Sequence, residues 1–471
     1  MTDMKKTKIV CTIGPATADQ KTLEKLMKTG MNVARINMSH GDHTTHANVI
    51  KNIRAAEQST GFHIGILVDL SGPKIRTGNF LTESITLVSG KKTIITTAVI
   101  NGTAEKFTVL YKKLPKEVIP GSIIMINDGK IKLLVEKIIK EEIHCKIIIG
   151  GTIKGKRGVN IINGKLSIKS ITAKDKLDIT WALKQDIDFM ALSFVRNRND
   201  ILDLRKILGK SKIKTIPSII AKIETQEAVD NITEILHVTD GVMIARGDLS
   251  VEVPREQVPL YQKRIINQAR IAGKYTIVAT QMMESMIHNP SPTRAEISDV
   301  ANAIFDGADA VMLSEETSLG KYPVETVAEM HNIALAVEDS FLKNPSVVYD
   351  PEFRVSHAIS HTAERLAHRL NAQMIIALTE SGRTAREIAQ FHGNQAIIAI
   401  TPSISTARIL SVIRGVTGHI EKLDNPIIEL RKKIISIAQK YGSKKKDTII
   451  IASGHKMNKS GSTNMLMVEE I

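Results

Sequence analysis

The sequence predicts an α/β protein built on a (β/α)8 TIM barrel, with an inserted β-rich lid domain and a C-terminal α/β domain. Three observations predict it. Eight short, β-branched runs alternate with longer helix-period segments. The alternation breaks once, after the third run, where strand-like runs with Gly and Lys turns fill residues 73–168. Past residue 340 a second alternation begins. The expected domains are therefore 1–72 with 169–340 for the barrel, 73–168 for the lid and 341–471 for the C-terminal domain. An open doubly wound sheet is the alternative arrangement of the same strands and helices.

In chain order the barrel strands read KIVCTI, MNVARIN, IGILVDL, IDFMALSFV, TIPSIIAKI, DGVMIAR, YTIVAT and ADAVMLS. They are near-continuous apolar runs, as expected of parallel strands covered on both faces. Between them lie amphipathic segments such as QKTLEKLMKTG, THANVIKNIRAAEQ, KDKLDITWALKQ and PLYQKRIINQARIAG. Gly30 and Gly273 stand just past two of these, where a helix end favours glycine. The insert carries SITLVSGKKTIITT, KFTVLY, SIIMIND, KIKLLVEKII and EIHCKIIIGGTI, which read as short strands and turns with little helix. The last domain runs HTAERLAHRL, MIIALTESG, TAREIAQFHG, AIIAITPS, ELRKKIISIAQKYG, DTIIIASG and a closing strand-like NMLMVEEI.

Composition narrows the function classes. At 471 residues, two or three cores are expected. Aromatics are only 3%, so those cores are aliphatic. No window approaches the ~18 apolar residues of a membrane span, and MTDMKKTKIVCTIG lacks a long apolar stretch with a cleavage site. Cys11 and Cys145 suggest neither a disulfide framework nor a zinc knuckle, so a reducing cytoplasm fits. Lys plus Arg number 64 against 49 acids, a formal charge of +15. The cations are spread along the chain and few aromatics could stack on bases, which disfavours a nucleic-acid partner. Anionic small substrates, or simply a basic surface, account for the charge.

In a barrel of this kind, reactive groups belong at the C-terminal ends of the strands. Strand two ends in Arg35, Asn37, Ser39 and His40, and strand three in Asp69. Strand five ends in Lys222 and Glu224, and strand six in Arg246, Gly247 and Asp248. Thr280 with Gln281, and Ser314 with Glu315, close the last two. Glu224 and Asp248 are hard oxygen donors on adjacent strands, a pair suited to Mg2+. A Lys222–Glu224 salt bridge is the competing reading. Lys222 and Arg35 together make a cationic clamp for a transferring phosphoryl group, which favours the metal reading. Three histidines (40, 43 and 46) lie too loosely spaced for a metal site. TESGRT (379–384) offers Thr379, Ser381, Gly382, Arg383 and Thr384 at a strand-to-helix turn; Arg383 favours a phosphate site over an ordinary helix cap.

The chain resembles the pyruvate kinases over essentially its whole length. The stretches that carry the resemblance are KIVCTIGPAT, MNVARINMSHG, GPKIRTG, KRGVN, AKIET, DGVMIARGDL, ATQMMESM, NPSPTRAEISDVANAIFDGADAVMLS and SGRT. The resemblance is to the bacterial type that lacks an N-terminal helical domain, since the chain opens almost directly on its first strand. It implies a cytoplasmic homotetramer that makes pyruvate and ATP from phosphoenolpyruvate and ADP in the final step of glycolysis. Phosphoenolpyruvate would lie against Arg35, Lys222, Thr280 and the Gly247–Asp248 backbone. Glu224 and Asp248 would hold Mg2+, or Mn2+ in its place. Lys222 would stabilise the transition state, and Thr280, with Ser314 through water, would serve enolate protonation. Asn37, His40, Arg76 and Arg157 would contact ADP or ATP, and the lid would exclude water.

Departures from the family pattern add further expectations. Members of the family often bind K+ among loops matching Asn37, Ser39, Asp69 and the residue after it, near a glutamate. Here Leu70 replaces a threonine and Lys74 stands where the glutamate would be. Lys74, pairing with Asp69, is expected to stand in for K+, so that K+ is not required. Glu315 and Leu319 replace a common Gly and Lys. KMNKSGSTN (456–464) lacks the Trp and Arg that clamp a second phosphate, so the expected activator is a sugar monophosphate or AMP. Two rival readings are a phosphoenolpyruvate or oxaloacetate lyase on the same barrel, and a non-catalytic or nucleic-acid-binding protein of the same fold.

Overall fold

A computed structural model describes residues 5–162, 167–211, 213, 215–340, 354–422, 427–454 and 463–471. Eight parallel strands close into a barrel. They are β1 (Lys8–Thr12), β2 (Val33–Asn37), β3 (Gly65–Asp69), β4 (Phe189–Leu192), β5 (Ser218–Ile223), β6 (Gly241–Ala245), β7 (Tyr275–Ala279) and β8 (Ala310–Leu313). β1 pairs with β2 on one side and with β8 on the other, Lys8 opposite Ala310, so the sheet has no edge. That closure excludes the open doubly wound arrangement.

The alternation of side chains sets the layers. Val10, Val33, Leu67, Ile220, Met243 and Ile277 are fully buried and pack together inside the barrel. Their neighbours Ile9, Ile66, Ile219, Val242 and Val278 join the core that includes the surrounding helices. The helix Gln20–Thr29 starts where the Asp19 side chain accepts from the Thr22 N–H, and ends at Gly30, whose φ of 138° an L side chain rarely adopts. At Gly241 an added Cβ would lie 2.2 Å from the Tyr275 ring. Only the missing side chain admits that ring.

Between β3 and β4 the chain leaves the barrel to form the insert. Its main sheet has six strands in the order Val159–Ile162, Ile123–Ile126, Ile131–Ile139, Glu142–Ile149, Lys92–Thr96 and Lys106–Thr108. Its own aliphatic core centres on Ile95, Phe107, Leu133 and Ile143. The outgoing strap is laced to the segment that leads into the insert's last strand. Arg76 bridges Gly158, the Thr77 N–H donates to the Arg157 carbonyl at 2.9 Å, and the Val159 N–H donates to the Ile75 carbonyl at 2.9 Å.

The C-terminal domain is a five-stranded sheet of β9 (Met374–Leu378), β10 (Ala396–Thr401), β11 (Val416–Ile420), β12 (Thr448–Gly454) and β13 (Thr463–Glu470). The spatial order is β11-β10-β9-β12-β13, parallel except for the antiparallel β13. It is fixed to the N-terminal end of the barrel. Arg408 grips Glu57 at 2.6 and 2.9 Å, the Lys8 ammonium donates to the Val416 carbonyl at 2.7 Å, and the Arg414 N–H donates to Asp309 at 3.1 Å. The substrate end is thereby left to the insert. No described helix is long and apolar enough to cross a membrane.

Candidate active site

At the C-terminal mouth of the barrel, Asp69 at the end of β3 stands between two buried cations. The Arg35 guanidinium, from β2, donates to its Oδ2 at 2.8 Å through Nε and also reaches the Thr12 hydroxyl at 2.8 Å. The Lys222 ammonium, from β5, lies 3.3 Å from Asp69 Oδ1, 2.9 Å from Glu224 Oε1 and 2.8 Å from the Ser193 hydroxyl. The Asp69 and Glu224 side chains are each 1% exposed. Burial alone would raise the Asp69 carboxyl, but Lys222 and Arg35 hold it below its ordinary value. Burial would likewise lower Lys222, yet Asp69 and Glu224 raise it, so it stays charged. These four residues form one continuous alternation of charge.

Glu224 faces two ways. Its Oε2 accepts from the Phe194 N–H at 2.7 Å, while Oε1 has no hydrogen-bond partner beyond the Lys222 ion pair. Burial raises its carboxyl; Lys222 lowers it, and the nearby charge of Asp248 raises it again. Two carboxylates that repel each other at the mouth of a barrel form an electrostatic site for a cation. Among the described residues no third acid, His or Cys closes a protein-only cage around a metal. The donor set therefore fits Mg2+, which keeps several positions for water and substrate oxygen.

Beside Glu224, on the neighbouring strand, stands the turn after β6. The Gly247 N–H donates to the Thr280 hydroxyl at 2.8 Å, and that hydroxyl donates to the Ala279 carbonyl at 2.6 Å. Thr280 and Gln281 hold φ of 72° and 57°, and Phe194 holds 53°. Left-handed backbone at a β-branched residue is costly and is held only where packing over-determines it. Arg246 is not a substrate group here: its guanidinium clasps the Asp299 carboxylate at 2.6 and 2.7 Å and donates to the Thr280 carbonyl at 2.8 Å. It buttresses the strained turn. The Ser314 N–H donates to the buried Glu316 at 2.6 Å, whereas Glu315 and Leu319 lie exposed.

The nucleotide candidates divide. Asn37 accepts from the Ser39 N–H at 3.0 Å, and His40 is exposed, with its carbonyl taken by His46 at 2.8 Å. His43 turns away, bonded to Asp178 at 2.8 Å and stacked on Trp181 with centroids 4.8 Å apart, so the three histidines do not converge. Arg76 and Arg157 are both exposed, Arg76 on the outgoing strap and Arg157 in the insert, just before its last strand. A cleft of about 540 Å³ between barrel and insert is lined by Ser39, Lys74, Arg76, Lys169 and Lys174 among others. Four cations around one cleft suit a polyphosphate.

Lys74 corrects the expectation built on sequence adjacency. It is exposed and forms no ion pair with Asp69. The turn at Gly72, φ 65°, carries the chain away from β3, and the Asp69 oxygens are already held by Arg35 and Lys222. Lys174, missed in the sequence, is the ammonium that ties the loops after β2 and β3: it donates to the Met38 carbonyl at 2.7 Å, reaches the Ser71 hydroxyl at 3.3 Å and pairs with Asp178 at 2.6 Å. The Leu70 carbonyl accepts from Ser193 at 2.7 Å. Thr12, Ser193 and Lys174 escaped notice because single hydroxyls and lysines are common at strand and helix ends. The matching ends of β1 and β4 were the available signal.

In the C-terminal domain, Thr379 is buried at the end of β9 and Gly382 holds φ 78°. Arg383 pairs with Glu387 at 2.8 Å, and the Thr384 and Thr463 hydroxyls share a hydrogen bond of 2.6 Å. Ser381 lies in the same turn. Most of the stretch 456–464 lies outside the described residues.

Fold and site together define a (β/α)8-barrel protein of the enzyme kind, with buried cations and carboxylates gathered at its strand ends. Family models agree: "Pyruvate kinase, barrel domain" matches residues 4–327 and "Pyruvate kinase, alpha/beta domain" matches 357–469. The chain is 44% identical to the pyruvate kinase of Staphylococcus epidermidis and 43% identical to that of Geobacillus stearothermophilus, each over 99% of this chain and 80% of the relative. The crystal structure of a pyruvate kinase from Cryptosporidium parvum superposes with a TM-score of 0.92 at 36% identity, covering 99% of this chain and 96% of that one. The chain belongs to the pyruvate kinase family and is a phosphotransferase.

Proposed function

We propose that the chain transfers the phosphoryl group of phosphoenolpyruvate to ADP with Mg2+ or Mn2+, closes glycolysis by releasing pyruvate and ATP, and does so without K+. The observation that carries the reading is the array Arg35–Asp69–Lys222–Glu224, with Asp248 just past the neighbouring strand. Substrate phosphate and carboxylate bind where Arg35 and Lys222 offer positive charge and where the Asp248 N–H and the Gly247 N–H, the latter exchanging its Thr280 partner for substrate, serve as donors. Glu224 and Asp248 would hold the metal, which when bound neutralises phosphoryl and carboxylate charge. As the bond from phosphorus to the enol oxygen breaks, charge moves onto that oxygen, and Lys222, fixed by Ser193 and Asp69, stabilises it. An ADP oxygen takes the phosphoryl group, and the enolate takes a proton on its methylene carbon from the side of Thr280 and Ser314. Asn37, His40, Arg76 and Arg157 hold the nucleotide, and the insert acts as a lid that favours ADP over water as acceptor.

Support for K+ independence comes from the ammonium groups of Lys74 and Lys174 beside Ser39 and Ser71 in one cleft. A further cation there is repelled. The C-terminal turn at Thr379–Thr384 takes a sugar monophosphate or AMP, and the working assembly is a homotetramer. The test is pyruvate formation from phosphoenolpyruvate and ADP with Mg2+, without and then with K+. Strong activity in both supports the kinase and its independence of K+. Activity only with K+ removes the built-in cation and leaves the kinase; no pyruvate with either, activators included, returns the lyase to consideration.

A further inference from the structure

The short helix Arg246–Glu252 carries Gly247 and Asp248 at its start and Glu252 at its end. Asp248 and Glu252 are four residues apart and share a helix face. The two ends have different clients. Gly247 and Asp248 serve the reacting centre, whereas Glu252 Oε1 accepts a 3.0 Å hydrogen bond from the side-chain amide of Asn160, which belongs to the insert. Glu252 is half-buried, and the same helix meets the insert a second time. A Cβ built on Gly129, in the left-handed turn Asn127–Gly129, would lie 3.7 Å from the Val251 side chain and 3.9 Å from that of Arg255. The Asn127 N–H in turn donates to the Gly158 carbonyl at 3.0 Å, between Arg157 and Asn160.

We propose that the Asn160–Glu252 hydrogen bond is the lid's docking point on the barrel, a positioning contact that sets where Arg76 and Arg157 stand over the substrate. An amide N–H on a carboxyl oxygen is a directional contact that Glu252 accepts in either protonation state, whereas Gly129 only passes near Val251. It joins the lid to the one barrel helix that also carries a metal carboxylate and a substrate N–H. Neither Asn160 nor Glu252 touches substrate in this scheme. Each acts through the arginines, so nucleotide affinity is sensitive to the contact and phosphoenolpyruvate affinity is not. The inference rests on the nucleotide role given above to Arg76 and Arg157.

The test uses a donor–acceptor exchange in the full chain. Asn160→Asp sets a carboxylate against Glu252 and, assayed at about pH 8.5, above the value of about 7 to which burial raises the Glu252 carboxyl, is expected to raise KM for ADP about ten-fold or more, with KM for phosphoenolpyruvate changed less than two-fold. Glu252→Gln keeps an acceptor oxygen for Asn160 and is expected to leave KM for ADP within about three-fold. Combining the two substitutions puts the amide on the barrel helix and the carboxylate on the insert. The bond then re-forms with donor and acceptor exchanged, and at least half of the loss on a logarithmic scale is recovered. Amide exchange at residues 127–129, measured without substrates, is expected to quicken in Asn160→Asp and slow again in the double variant. A double variant no better than Asn160→Asp, or an equal rise in both KM values, overturns the proposal. If the unaltered protein makes no pyruvate, the kinase reading fails, and the exchange measurement still decides the docking contact.

Discussion

Replacing Asp69 by Asn tests whether the central carboxylate holds the clamp together. The shape is kept and one charge is lost, leaving Arg35 and Lys222 facing each other with side chains only 11% exposed. At an effective dielectric of about 20, an ion pair at 2.8 Å is worth roughly 6 kcal/mol and one at 3.3 Å roughly 5 kcal/mol in gross attraction. Desolvation offsets most of this, and breaking a buried pair by removing one partner costs about 3–5 kcal/mol net. For a unit the size of the barrel, each kcal/mol moves the melting point about 2–4 °C, so the expected loss is about 6–20 °C. Calorimetry of the barrel transition at neutral pH reads it directly. The sign in acid is also fixed: the cations hold the Asp69 carboxyl below its ordinary value, so its stabilisation is complete above that value and is lost as pH falls through the lower, folded one. The variant therefore approaches the unaltered protein in strong acid. A shift under 2 °C at neutral pH, or a gap that does not narrow in acid, refutes the argument.

Glu224→Gln removes one of two metal carboxylates and is expected to weaken Mn2+ binding, read by electron paramagnetic resonance, at least about 100-fold; unchanged affinity would move the metal elsewhere. Lys222→Met removes the group placed at the departing oxygen, and kcat is expected to fall about 100- to 1000-fold with little change in KM for phosphoenolpyruvate, a pattern that a pure binding role would invert. Gly241→Ala drives a methyl group into the Tyr275 ring and is expected to cost about 1–3 kcal/mol, measured as a lowered melting point. Cys145 is buried with its thiol pushed up to about 12 by burial, and burial raises Cys11 as well, so a thiol reagent at neutral pH is expected to label neither until the protein is unfolded.

Much of this molecule is legible in one sequence because its barrel strands are buried on both faces and read as unbroken apolar runs. Eight of them, each joined to the next across helices, leave a closed barrel as the natural solution, and chemistry then has one end to occupy. Arg35, Lys222, Glu224 and Thr280 are found by that logic alone. Partners are harder. Asp69 and Lys74 sit close in sequence, yet a glycine turn sends them apart, while Lys222 arrives from two strands away. Arg246 looks as reactive as Asp248 beside it; only the fold shows Asp299 waiting for its guanidinium. Glu252 and Asn160 were invisible for the same reason, since neither belongs to a strand end of the barrel and their meeting depends on how the insert leans.

The lacing of the outgoing strap to the insert has a mechanical meaning. A strap that hung free would let Arg76 move independently of Arg157. Here Ile75–Thr77 is bonded to Arg157–Val159, so the backbones of the two arginines travel together in any movement of the insert. Under the nucleotide role proposed for them, part of the conformational entropy of bringing two cations to one polyphosphate is spent at folding, before any ligand arrives.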